Sequence, residues 1–125
     1  MPHIQNQTGY EVEAAWVIAD FDNNNTFFTD SNGLQMQKRI LNYRPTWDIK
    51  KNYNDSNENI TANYYPVNSA VQMRDLKQNK IFTIMNDRSQ AGSALEAGQI
   101  QLMQNRRIAA DDHRGMGEYL NETDS

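Results

Sequence analysis

The tetrapeptide Asp30-Ser31-Asn32-Gly33, set between two short β-prone runs, constrains the fold of this chain more than any other feature. Asn-Gly supplies the positive φ angles that a tight hairpin turn demands, so 26–29 and 34–40 are predicted to pair as antiparallel strands. Further runs follow the same period of two. Residues 12–18 alternate, with Ala14, Trp16 and Ile18 on one face; 99–108 alternate, with Ile100, Leu102 and the aliphatic stem of Arg106 together. Residues 64–75 read as one strand interrupted near Pro66, and 80–86 as its partner across 76–79. There Ile81, Thr83 and Met85 share one face and Phe82 and Ile84 the other, which predicts a central strand covered on both sides. Residues 89–98 read as a loop or one helical turn, too short to stand alone. Residues 42–63, polar and Asn-rich around Pro45, read as a long surface excursion whose ends Tyr43 and Trp47 fix. No heptad or internal repeat interrupts this pattern of short strands and polar loops, and the expected class is all-β, an antiparallel β-sandwich.

Whether such a sandwich is complete is a question of how much apolar surface it holds. The chain has 125 residues, of which 38% are hydrophobic, and a mean hydropathy of -0.88. That allows one domain at most, with a modest core, and the expectation is a segment incomplete as a stand-alone domain. A net charge of -4 with cations scattered along the chain excludes the basic stripe of a nucleic-acid binder. No apolar stretch approaches the ~20 residues of a membrane span, so a soluble chain is expected. Without cysteine there is no disulfide framework, and the redox compartment stays open. The first six residues show no signal peptide. Yet Asn-x-Ser/Thr acceptors occur at Asn6, Asn24, Asn54, Asn59 and Asn121, where this composition gives about two by chance. The excess points to a lumenal history; Asn-rich tracts such as 23–25 offer the plainer alternative. A longer precursor would reconcile the sequons with the missing leader.

The chemistry-bearing residues crowd into 101–117, where Arg106, Arg107 and Arg114 accompany Asp111-Asp112-His113 ahead of Gly115 and Gly117. A strand end delivering ionised groups to a glycine-hinged loop fits a site edge, and equally fits a salt-bridge cluster that pins the loop. Asp111 and Asp112 cannot easily flank one glycosidic bond, because neighbours on an extended chain point to opposite faces. They are better placed to accept hydrogen bonds from Arg106, Arg107 or Arg114. A catalytic zinc wants three protein ligands, and only His3 and His113 are present, far apart in sequence, so neither a metal site nor a catalytic group is expected within this chain. Asn32-Gly33 and Gly115-Met116-Gly117 lack the following helix of a phosphate loop and read as turns. Tyr64, Tyr65, Trp16 and Trp47 have faces on which sugars could stack, but such aromatics in strands more often fill a core.

The run LMQNRRIAADDHRGMGEYL resembles the L-M-x-x-R-R-x-x-x-D-D-x-R-G-x-x-E strand and loop of glycoside hydrolase family 38, the α-mannosidases, in its C-terminal β-domain. Matching blocks precede it in order: FFTDSNGLQMQKR from Phe27, YRPTW from Tyr43, NYYPVN from Asn63 and NDRSQAGSAL from Asn86. The last three are similar to the lysosomal rather than the Golgi branch. The resemblance covers most of the chain from Glu11 onward. It implies that residues 1–125 are part of a C-terminal β-sandwich of the galactose-mutarotase-like supersandwich kind, with the catalytic N-terminal zinc domain absent from this chain. It further implies a retaining, zinc-dependent hydrolase of terminal α-mannosyl residues on N-glycans and oligosaccharides, lysosomal or otherwise lumenal. The partners would be mannose-containing glycans and the enzyme's own catalytic domain, with no nucleic acid and no membrane. Zinc would be a cofactor of the full-length enzyme, with no ligand here. By the same resemblance Arg114 would reach the rim of the cleft as a substrate-binding cation, supported by Asp111, Asp112 and Gly115. The isolated chain is expected to be inactive. The alternative from another class is a non-catalytic carbohydrate-binding or interaction module.

Overall fold

A computed structural model describes residues 3–8, 12–49 and 60–106, with side chains placed at 14–49, 60 and 62–104. Among the described residues nine strands form two antiparallel sheets. The first sheet orders β1 (His3–Thr8), β2 (Val12–Ile18), β9 (Gln99–Arg106), β8 (Gln90–Ser93) and β5 (Tyr65–Val67). The second orders β4 (Gln35–Ile40), β3 (Thr26–Ser31), β6 (Ala70–Asp75) and β7 (Lys80–Met85). The all-β antiparallel sandwich is therefore present. The core between the layers joins Phe27, Val71 and Met73 of the second sheet to Tyr65, Val67, Ile100 and Leu102 of the first, with Phe21, Phe82 and Ile84 closing its flank. Among the described residues no helix is long and apolar enough to cross a membrane.

The hairpin at Asn32-Gly33 forms as its residues require. Asn32 (φ 53°) and Gly33 (φ 70°) both lie in the left-handed region, and the Leu34 N–H donates to the Ser31 carbonyl at 3.0 Å. β2 occupies the expected span, but its buried residue is Val17, on the face opposite Trp16 and Ile18.

Three expectations are corrected. Residues 64–75 are two strands in different sheets: β5 pairs with β8, β6 pairs with β3 and β7, and the chain crosses between layers at Asn68-Ser69. The strand expected to be central, β7, is an edge among the described residues. Its Phe82 and Ile84 do face the core, while Ile81 and Met85 on the other face are 63% and 83% exposed. Alternation identifies which faces are apolar, and only the neighbouring layers decide whether both are covered. Residues 90–93 form strand β8 rather than a loop or helical turn. Their Gly92 is squeezed between Val67 and Leu102, where an added Cβ would lie 2.7 Å from Val67 Cγ2.

The turn at 96–98 ties the two layers together. Gly98 (φ 72°) accepts from the Ala19 N–H at 2.8 Å and donates to Oδ1 of buried Asn23 at 3.0 Å. A Cβ there would meet the Ala19 carbonyl oxygen at 2.3 Å, on a backbone that L-residues rarely adopt. Gly98→Ala is expected to cost about 2 kcal/mol, read as a lower urea midpoint at unchanged slope.

Candidate functional site

Two of the sequence blocks that are separate along the chain, those beginning at Phe27 and Asn63, meet at Asp30. Its carboxylate accepts from the backbone N–H groups of Asn68 (2.8 Å), Ser69 (3.0 Å) and Ala70 (3.2 Å), from the Ser69 hydroxyl (2.9 Å) and from the Gly33 N–H (2.9 Å). Burial alone would raise the pKa of this group. The hydrogen bonds from Ser69, Ala70 and Gly33 outweigh burial and hold it well below the usual carboxylate range. The carboxylate thus locks the hairpin turn to the point where the chain changes sheets.

Asn63 is the second fastening. Fully buried, it accepts from the Asn42 N–H at 2.7 Å through Oδ1 and donates through Nδ2 to Asn42 Oδ1 at 2.8 Å. Its backbone carbonyl accepts from the Ser93 hydroxyl at 2.9 Å. Arg44 donates to the Ala62 carbonyl at 2.8 Å and lies over both the Trp47 and Tyr65 rings, 5.8 and 5.0 Å from their centroids. Arg39 covers Tyr65 as well, at 4.5 Å, and bonds Thr29 Oγ1 at 3.0 Å. Burial lowers the Arg39 guanidinium from its ordinary value; Tyr65 opposes that shift and Arg44 adds to it. Tyr65 also packs edge-on against Phe27 at 5.8 Å. It is a core residue braced by two cations, with little face left for a sugar.

Tyr64, its neighbour, points the other way. Its hydroxyl donates to Gln101 Oε1 at 2.9 Å, and burial pushes its pKa up, so it stays a neutral phenol. With Pro66, Asn68, Ser89, Gln90, Met103 and Gln104 it lines a hollow of about 630 Å³. The walls mix aromatic and aliphatic surface with amide and hydroxyl groups, a lining suited to a polyol. At its border β9 carries an extra residue: Glu13 pairs with Asn105 and Ala14 with Met103, leaving Gln104 as a bulge. The bulge breaks the strand's alternation two residues before Arg106, so the simple face assignment of Arg106 from periodicity does not carry through. Sequence reasoning passed over Asp30, Asn63 and Gln101. The available signal was that Asp30 and Asn63 each stand in a block shared with the resembled family.

Arg114, Asp111, Asp112 and Gly115 lie outside the described residues, as do His113, Asn54, Asn59 and Asn121. Asn6 sits in β1 opposite Ala15, and Asn24 on an exposed turn. Trp16 is half-buried and Trp47 exposed over Arg44. Among the described residues no three of His, Cys, Asp and Glu converge as metal ligands.

The model of the glycosyl hydrolases family 38 C-terminal domain matches residues 16–114. The chain belongs to this family. It is 43% identical over 113 residues to the lysosomal alpha-mannosidase of Bos taurus, covering 87% of this chain and 11% of that protein. An alpha-mannosidase of Arabidopsis thaliana is 44% identical over 100 residues, 80% of this chain and 9% of the relative. The lysosomal alpha-mannosidase of Dictyostelium discoideum is 41% identical over 98 residues, 78% and 9% of the two chains. The chain thus spans about a tenth of the length of the curated relatives it matches. The matched span contains the Asp30 and Asn63 fastenings, the Tyr64 hollow and the whole of β9.

Proposed function

We propose that this chain is a segment of the C-terminal β-sandwich domain of a retaining, zinc-dependent α-mannosidase that removes terminal α-mannosyl residues from N-glycans and oligosaccharides in a lysosomal or other lumenal compartment. The match of the family's C-terminal domain across residues 16–114 carries this reading. The chemistry would belong to an N-terminal catalytic domain outside this chain, which would hold the zinc and the carboxylates; among the described residues here no three of His, Cys, Asp and Glu converge. This segment would act by shape and position. Asp30 and Asn63 fasten the sandwich that contains β9, whose last residue, Arg106, lies eight residues before Arg114. Arg114 would then be delivered to the cleft rim as a permanent cation with five donors for sugar hydroxyls or for orienting a site carboxylate. The Tyr64 hollow, alongside the end of β9, would extend the carbohydrate-facing surface.

Two assays test the reading together. The purified chain is expected to leave a chromogenic α-mannoside intact with or without added zinc. The full-length polypeptide that contains it should hydrolyse the same substrate and lose that activity on chelation. Zinc-dependent hydrolysis by the chain alone would overturn the division of labour. A full-length protein that binds mannose oligosaccharides without cleaving them would place the chain in a non-catalytic binding module.

A further inference from the structure

We propose that Asn24 carries an N-linked glycan. The observation behind this is a turn built to present that one side chain. Asn24 (φ 47°) and Asn25 (φ 53°) are the two central residues of a tight turn closed by the Thr26 N–H on the Asn23 carbonyl at 2.9 Å. Both φ values belong to the left-handed region, where asparagine is among the few tolerated side chains. The base of the turn is fixed from inside: buried Asn23 donates to the Thr26 carbonyl at 2.9 Å and accepts from the Gly98 N–H at 3.0 Å. Among the described residues Asn24 engages only through its backbone, donating to Asp22 Oδ1 at 3.2 Å and accepting from the Thr26 hydroxyl at 3.1 Å. Its exposed carboxamide is left at the tip of a rigid loop.

An acceptor asparagine needs the i+2 hydroxyl and an uncommitted carboxamide, and after modification the sugar needs space. All three are here. Asn24-Asn25-Thr26 is the acceptor triplet, and Thr26 opens β3 directly behind the turn. Asn24 stands at the border of an open hollow of about 520 Å³. Phe28 and Leu76 give that hollow apolar surface, while Asp22, Lys38 and Lys77 supply charged groups, so the first N-acetylglucosamine has room and amphipathic walls beside it. Asn6, by contrast, lies within the β1–β2 ladder, paired with Ala15.

In the cell the modification rests on the lumenal reading, so the test supplies the entry itself. The full-length protein is secreted from a eukaryotic host behind a cleavable leader, then digested with an amidase that converts glycosylated Asn to Asp in heavy-oxygen water. The peptide bearing Asn24 is expected to return as Asp with one heavy oxygen, and Asn24→Asp, which tolerates the turn, should remove one mobility step on a gel. Thr26→Val, which keeps the β-branched shape and deletes the hydroxyl, should remove the same step, and Thr26→Ser should retain it. Recovery of the peptide with unmodified Asn24 from secreted protein overturns the proposal. So does a mobility unchanged by Thr26→Val. Neither result bears on the lumenal address of the native enzyme, which is read separately by locating it in its own cells.

Discussion

Replacing Asp30 by Asn is expected to destabilise the fold by about 3 kcal/mol, although the two side chains are nearly the same size. The reason lies in what the carboxylate faces. Oδ1 accepts from Asn68, Ser69 and Ala70, and Oδ2 from Gly33 N–H and the Ser69 hydroxyl, so every polar neighbour is a donor. An amide must place its NH₂ against one of these sets, which sets donor against donor and leaves part-buried N–H groups without an acceptor. The effect also carries a pH signature. Because the folded carboxyl lies below its unfolded value near 3.9, its stabilisation is complete above about pH 5 and fades as the pH falls toward the folded pKa. The gap in urea midpoint between wild type and Asp30→Asn should narrow as the pH is lowered from about 7 to about 3, without closing, because the folded carboxyl still titrates below that range. A constant gap across that range would show that packing, not charge, sets the role of Asp30.

Asp30 also marks where sequence reasoning succeeded and where it stopped. The hairpin was legible because Asn32-Gly33 makes a purely local demand on φ. The sheet switch at Asn68-Ser69 was not, because its cause is a carboxylate 38 residues earlier in the chain. The eye sees a single β-prone run interrupted near Pro66; only the captured N–H groups turn the run into two strands of opposite layers. β8 escaped for a different reason. Gln90–Ser93 is short and small, with no alternation of size, and its identity as a strand depends on Gly92 letting Val67 and Leu102 close over it. The edge position of β7 was hidden because Ile81 and Met85 are as apolar as core residues. Their exposure belongs to a chain spanning about a tenth of its relatives' length, in which an apolar outer face has no covering layer among the described residues. The candidate site was legible only through motifs. Periodicity located β9, and nothing in residue spacing alone distinguishes a sugar-binding arginine from a structural one.

That distinction can be made kinetically at Arg114. In the full-length enzyme Arg114→Lys is expected to lower turnover by roughly tenfold or more while moving stability by less than about 1 kcal/mol. Lysine preserves the charge and most of the length, so simple electrostatic attraction for a site carboxylate should survive. What disappears is the planar fork, which can bind two hydroxyls or both oxygens of a carboxylate at fixed angles. A group that orients must itself be held. Asp111 and Asp112 precede Arg114 closely enough for either to accept from its guanidinium, and Gly115 directly after it permits the sharp return such a loop would need. If Arg114 orients substrate, Asp111→Asn or Asp112→Asn should reproduce part of the kinetic loss, and adding Arg114→Lys to the effective variant should cost less than the two losses combined. If Arg114 instead bridges two loops at the domain junction, Arg114→Lys should leave kcat and KM unchanged and lower the melting temperature. That second pattern would make the D-D-x-R-G motif a mark of the fold rather than of the function.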